Sequence, residues 1–194
     1  KMDLVPVNYQ LSSLLNDCQN MLYSKVQDKG LKFELVADEN LPSVLRGDEV
    51  RIRQIIINLL TNAVKYTESG TVTLKVNFEK TDDKNISLKV AVSDTGMGIS
   101  EENQKHLFES FKRVDEENNR NIEGTGLGLS LVQTLTSLMN GEVFVESELG
   151  KGSTFCVIIP QEIISDVPMG KVSRSNLKLE DIQKMDDLFI VKCR

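Results

Sequence analysis

The strongest constraint on this chain is the stretch at residues 51–66, RIRQIIINLLTNAVKY. At about 100° per residue, Ile52, Ile56, Leu59, Leu60 and Ala63 fall along one side, which predicts a helix laid on a core. Arg51, Gln54, Asn58, Asn62 and Lys65 fall on the other side, with Tyr66 at its edge. A solvated face is the plain reading of that second side. Asparagines four residues apart fit it poorly, because Asn is a mediocre helix former and Lys or Glu covers a wet face better. An amide oxygen can ligate a hard cation such as Mg²⁺, and a lysine one turn on can meet phosphate. The helix alone leaves both readings open.

Around it the periodicities predict the other elements. Residues 9–28 read as an amphipathic helix through Leu11, Leu14, Leu15, Cys18, Leu22 and Val26, stopped by Gly30. Residues 31–36 alternate as a half-buried strand, residues 38–42 read as a turn, and Asp48 is placed to cap the central helix. Residues 71–79 and 86–93 predict a hairpin, with Val72, Leu74, Val76 and Phe78 on one strand and Ile86, Leu88, Val90 and Val92 on the other. A short helix is expected at 101–111 and another from Leu127 to about Met139, with Asn140-Gly141 as its stop. Strands at 142–147 and 153–159 follow, and Pro160 is read as the close of the domain. The pattern is not a regular βα alternation. It predicts a two-layer α/β sandwich, a mixed and mostly antiparallel sheet with helices on one face.

With 194 residues, 40% of them apolar, the chain is long enough for one such domain plus an appendage. A net charge of −6 argues against broad nucleic-acid or anionic-membrane binding. Cys18, Cys156 and Cys193 form no metal-binding spacing, which points to a reducing, cytoplasmic compartment. No apolar run approaches the roughly 18 residues of a membrane span. Beginning Lys-Met-Asp, the chain reads as a piece of something longer.

Two glycine-rich stretches carry chemistry. Asp94-Thr-Gly-Met-Gly-Ile99 sets a carboxylate at a strand end, followed by Gly96 and Gly98. A carboxylate only accepts hydrogen bonds, so it suits the exocyclic amino group of adenine and repels the carbonyl guanine offers there. The glycines would let a ligand approach the backbone. The same residues also fit a simple Asp-initiated turn. Gly124-Thr-Gly-Leu-Gly-Leu129 precedes a helix whose first N–H groups can meet phosphate. It is not a dinucleotide fingerprint, since no strand precedes it and its spacing is GxGxG, and no Gly-Lys-Ser/Thr makes a P-loop. A flexible linker is the alternative.

The Asn-x-x-x-Asn helix, the strand-terminal Asp-x-Gly-x-Gly and the later Gly-x-Gly-x-Gly, in that order, resemble the ATP-binding catalytic domain of sensor histidine kinases in the GHKL ATPase superfamily. Between them, Leu107-Phe-Glu-Ser-Phe-Lys-Arg113 is similar to that family's phenylalanine box. The resemblance runs from about Asn8 to Pro160. It implies ATP and Mg²⁺ as cofactors. It gives Asn62 the role of Mg²⁺ ligand, with Asn58 beside it as the first polar position, and sets Lys65 on phosphate and Tyr66 by the adenine. Asp94 would bind the adenine amino group, flanked by Gly96, Gly98 and Ile99. Phe108 and Phe111 would anchor a lid, Arg113 would reach the γ-phosphate, and Gly124, Thr125, Gly126, Leu127, Gly128 and Leu129 would close over the phosphates. Thr154, in Gly-Ser-Thr-Phe, would add a hydroxyl near the base.

Superfamily members resembling gyrase, mismatch-repair and heat-shock ATPases carry Glu where this chain has Asn58. An amide cannot take a proton from water, so hydrolysis is disfavoured. In histidine kinases the nucleophile is an imidazole on a separate dimerising domain. The one histidine here, His106, lies in the phenylalanine-box segment without an acceptor signature and reads as a surface or packing residue. The implied partners are that acceptor domain and a downstream receiver domain. No nucleic acid and no direct membrane contact are expected, although a parent protein can be membrane-anchored. Residues 161–194 depart from the family domain and read as a linker or extension, with a short helix possible at 177–186. A non-catalytic nucleotide-binding scaffold and an ATP hydrolase are the rival readings.

Overall fold

Strict alternation in two consecutive segments builds the floor of the molecule. In this computed structural model, which describes residues 3–108 and 127–172, β4 (Thr71–Lys80) and β5 (Asn85–Asp94) pair antiparallel from Val72↔Asp94 to Lys80↔Ile86. Val72, Leu74 and Val76 on β4 and Ile86, Leu88, Val90 and Val92 on β5 are buried on one face. The long strand β7 (Gly152–Pro168) pairs with the other edge of β5 and extends the same face with Phe155, Val157 and Ile159. β2 (Lys32–Ala37) lies parallel to β4, and every other pairing among the described residues is antiparallel. With β1 (Val7–Gln10) and β3 (Pro42–Gly47) the sheet runs β1-β3-β7-β5-β4-β2, and β6 (Glu142–Glu148) also pairs with β7.

Three helices bury their apolar stripes on that floor. α1 (Leu11–Asp28) contributes Leu14, Leu15, Cys18 and Leu22, and α4 (Gly128–Leu138) contributes Val132 and Leu135. Between them, α2 (Glu49–Tyr66) buries the expected stripe together with Ile55 and Val64. Full burial of each such side chain is worth about 1.5–3 kcal/mol, which is why a helix with a wholly polar second face holds its place. Asp48 caps α2 as its position promised: its carboxylate accepts from the Arg51 N–H at 3.1 Å and from the Val5 N–H at 2.9 Å. None of the described helices is long and apolar enough to cross a membrane. The architecture is the two-layer α/β sandwich expected, with a mixed, mostly antiparallel sheet.

The structure departs from the sequence reading in four places. The first helix begins at Leu11 rather than residue 9, because Val7–Gln10 is recruited as a strand against β3, with the Tyr9 hydroxyl donating to Gln161 Oε1 at 2.8 Å. β3 itself was not expected; its register against β7 breaks at Val44, so its apolar pattern does not alternate cleanly. Pro160 does not end the last strand. On that edge β6 pairs as far as Ile158 and β3 takes over at Glu162, so the proline stands at a handover between partners, where such a residue is tolerated. Of the helix expected at 101–111, the described residues, which run to 108, form a single turn, α3 (Glu101–Gln104), capped by the Ser100 hydroxyl. The expected helix at 177–186 lies outside the described residues.

Asp48→Ala removes the acceptor for two backbone donors at once. It is expected to lower unfolding free energy by about 1–2 kcal/mol, read as a drop in urea midpoint at unchanged slope. An unchanged midpoint would show that the cap is not holding α2.

Candidate functional site

The polar side of α2 meets the N-terminal end of α4. Asn58 and Asn62 are half-buried, and a Cβ placed on Gly128 would lie 3.7 Å from Asn62 Nδ2 and 3.8 Å from Asn58 Oδ1. Both amides therefore crowd the first residue of α4. Leu127, which precedes α4 and is exposed, offers no side-chain cap, and among the described residues no side chain accepts from the first-turn N–H groups there. Such an end carries partial positive charge. One turn past Asn62, the Lys65 ammonium lies 4.8 Å from the centroid of the Tyr66 ring, a cation–π pair. Leu129 packs on the core below.

A lysine from outside holds the last turn of α2. Lys29 Nζ donates to the carbonyls of Val64 at 2.8 Å, Lys65 at 2.9 Å and Thr67 at 3.3 Å, covering the negative end of the helix. The buried Thr67 hydroxyl donates to the Ala63 carbonyl at 2.7 Å. Sequence reasoning passed over Lys29 because no motif surrounds it.

The Asp94 loop closes against that same turn. Asp94 ends β5 in register with Val72 and Ser153, so its side chain lies on the helix side of the sheet. Its Oδ1 accepts from the Gly96 N–H at 2.9 Å, and the nearby Ser153 N–H also favours the charged carboxylate. Burial pushes this carboxyl above the usual carboxylate range, and the two N–H groups oppose that push only in part. Gly96 and Gly98 are required by the fold itself. A Cβ on Gly96 would overlap the Tyr66 carbonyl oxygen, and one on Gly98, at φ +68°, would overlap the Glu148 carbonyl oxygen. The chain's own backbone excludes side chains at both positions. The Asp-initiated turn is present, since the Asp94 carboxylate accepts from the N–H two residues on, and it is packed against the backbone of Tyr66 and Glu148.

Ile99 is fixed at both ends. Its N–H donates to Ser147 Oγ at 2.7 Å and its carbonyl accepts from Gln104 Nε2 at 2.8 Å, while the side chain packs on the core. Phe108 is partly buried against the same core, and His106 is exposed.

Thr154 is a correction. It pairs with Ser93, and their hydroxyls lie 2.9 Å apart on the face opposite Asp94, where no contact with the Asp94 side is possible. Its neighbour Ser153, 7% exposed, stands on the Asp94 side instead. The signal was available, because Phe155 and Val157 fix the parity of the strand and put Ser153 with them. Arg113, Phe111, Gly124, Thr125 and Gly126 lie outside the described residues. The structure thus brings Asn58 and Asn62 to Gly128, and sets Asp94, Gly96 and Ser153 together against the Tyr66 carbonyl at the last turn of the same helix.

Among the described residues no group of His, Cys, Asp or Glu is arranged to hold a metal ion. The donors on offer are neutral amide oxygens. They suit a hard cation that takes most of its charge compensation from an anionic ligand, as Mg²⁺ does with phosphates.

Residues 47–163 match the family model described as histidine kinase-, DNA gyrase B-, and HSP90-like ATPase. The chain is 37% identical over 160 residues to hybrid signal transduction histidine kinase B of Dictyostelium discoideum, covering 82% of this chain and 8% of that relative. It superposes on full-length ShkA in complex with AMPPNP with a TM-score of 0.70 at 32% identity, covering 85% of this chain and 32% of that one. The catalytic domain of histidine kinase ThkA shares the fold, with a TM-score of 0.65 at 24% identity over 82% of this chain and 96% of that one. The chain thus spans a small part of the longer relatives it matches.

Asp94 gives a pH-dependent signature. Its folded pKa is raised, so the native state holds the proton longer than the unfolded chain, and stability falls as pH rises from the ordinary aspartate value of about 3.9 through the folded value. The penalty is complete at neutral pH. Asp94→Asn removes it, and the urea midpoint of the nucleotide-free protein at pH 7 is expected to rise, with the gain fading below about pH 4. A midpoint lower than wild type at pH 7 would show the carboxylate to be a net stabiliser.

Proposed function

The chain belongs to the histidine kinase-, DNA gyrase B-, and HSP90-like ATPase family, and from that membership we propose that it is the ATP-binding catalytic domain of a two-component sensor histidine kinase. In this reading it binds Mg·ATP and presents the γ-phosphate to a histidine on a separate dimerisation domain, from which the phosphoryl group passes to a receiver domain. The observation that carries the proposal is the partly desolvated Asp94 carboxylate, held by the Gly96 N–H in a loop packed on the last turn of α2, the helix that carries Asn58 and Asn62.

The division of labour follows from the chemistry of each group. Asp94 only accepts hydrogen bonds, and its partial desolvation sharpens the penalty for facing another acceptor, so an amino group is favoured over a carbonyl. Tyr66, whose carbonyl meets the Asp94 loop, is assigned to the adenine from the sequence motif. Asn62 and Asn58 offer amide oxygens to the cation, and Mg²⁺ when bound would supply charge neutralisation along the phosphates. The half-buried first turn of α4 adds oriented N–H groups next to both amides. Lys65, moving off the Tyr66 ring, has the reach for a phosphate. Arg113 and the run from Gly124 to Gly126 are assigned to the γ-phosphate and to closure over the triphosphate from the sequence motif alone.

Asn58 sets the limit of the chemistry. An amide cannot deprotonate water, so positioning is what this domain contributes, and the nucleophile must arrive with its own basic nitrogen. That favours phosphotransfer over hydrolysis. His106 is not offered as the acceptor.

Two variants and one transfer assay test the reading. Asp94→Asn is expected to weaken ATP binding by about 1.5–3 kcal/mol, the scale of a charged hydrogen bond. Asn62→Ala should abolish the enhancement of ATP binding by Mg²⁺. With γ-labelled ATP, the wild-type chain should label an added histidine-acceptor domain, and Asn62→Ala should not. Binding without transfer to any supplied acceptor would move the protein to the scaffold reading. Steady phosphate release without an acceptor would mark it as a hydrolase.

A further inference from the structure

The β6–β7 hairpin holds a hydroxyl pair that no motif accounts for. Ser147 and Ser153 face each other across the two strands, with their oxygens 2.9 Å apart. Ser147 Oγ also receives the Ile99 N–H at 2.7 Å and lies 3.0 Å from the Gly152 carbonyl oxygen. Gln104 Nε2 braces the arrangement by donating to the carbonyls of Ile99 at 2.8 Å and Ser147 at 2.9 Å.

Counting hydrogens assigns the direction of each bond. A serine hydroxyl has one hydrogen and two lone pairs. The Gly152 carbonyl can only accept, so its contact requires the Ser147 hydrogen. The Ile99 N–H occupies one Ser147 lone pair, which leaves the other to accept from Ser153. Only this assignment satisfies all three contacts; if Ser147 donated to Ser153 instead, the Gly152 contact would have no hydrogen. The Ser153 hydrogen is therefore turned toward Ser147, and its lone pairs are left for the side shared with Asp94.

We propose that Ser147 is a positioning residue for base selection, anchoring the Asp94 loop through Ile99 and holding the Ser153 hydroxyl as an acceptor. This rests on the assignment of Asp94 to the base. The pocket then presents two acceptors side by side, a carboxylate and a polarised hydroxyl. A ligand edge whose N–H donors meet them directly satisfies both, while a carbonyl edge set directly against them satisfies neither. Without Ser147, Ser153 is released to rotate and donate, and the bar against a carbonyl-bearing base falls.

The test is titration of the 194-residue chain with ATP, adenosine and GTP, with and without Mg²⁺. Ser147→Ala is expected to weaken ATP and adenosine by the same factor, about tenfold for one hydrogen bond and its orientation, and to narrow the ATP-to-GTP ratio. The Mg²⁺ enhancement should not change, and Ser147→Thr should restore the ratio by restoring the hydroxyl. Ser153→Ala should narrow the ratio to the same extent without touching the Ile99 anchor, which keeps the claim testable if Ser147→Ala does not fold. A selective wild type with an unaltered ratio in both alanine variants overturns the inference alone. A wild type that binds ATP and GTP alike, or neither, removes the Asp94 assignment and this inference with it.

Discussion

Backbone packed on backbone around Asp94 is the constraint on which the rest of the site depends. Gly96 lies on the Tyr66 carbonyl, Gly98 on that of Glu148, and Gly152 on that of Asp94 itself, so closely that none can carry a side chain. Met97 N–H donates to the Tyr66 carbonyl and its own carbonyl accepts from Gly150, which ties the loop to α2 on one side and to the β6–β7 hairpin on the other. Three segments distant in sequence are thereby locked together. The carboxylate that results is oriented by N–H groups whose positions are set before any ligand arrives. Pre-organisation of this kind lowers the ordering cost of binding.

The same economy extends along α2. Its buried stripe and its Asp48 cap fix the helix to the sheet, and Lys29 covers the carbonyls at its far end. Its polar side is thus free to carry asparagines, which contribute little to helix stability. That trade is typical of functional positions, where local preference is overridden by chemistry. Neutral amides beside the first turn of α4 can accept a cation without adding negative charge that would repel a polyanionic ligand. The desolvated Asp94 carboxylate is a comparable concession, a cost in stability placed where recognition benefits.

Much of this was legible in the sequence because two signals are strong. Helical spacing located α2 and α4, and strict alternation located β4 and β5, since each element buries one clean face. The places of Asp94 at the end of a strand and of Asn58 and Asn62 together on one side of α2 were readable from the same periodicities. β1 and β3 were not readable, as each is short and their pairing is decided by tertiary contacts, among them the Tyr9–Gln161 bond. Pro160 misled because a proline blocks a ladder only where a partner needs its N–H, and the change of neighbours from β6 to β3 cannot be seen in sequence. Thr154 was chosen over Ser153 by motif rather than by strand parity, and parity was the better guide. For Gly96 and Gly98 the sequence shows that a side chain is excluded, and the structure adds that neighbouring backbone excludes it.

The central claim is that the Asp94 loop and the asparagine side of α2 form one Mg·ATP site. It is tested most directly by calorimetric titration of the wild-type chain with ATP and GTP, each with and without Mg²⁺. The account predicts that ATP binds more tightly than GTP, and that Mg²⁺ strengthens ATP binding. Equal affinity for the two nucleotides, or ATP binding indifferent to Mg²⁺, from a chain shown to be folded would contradict it.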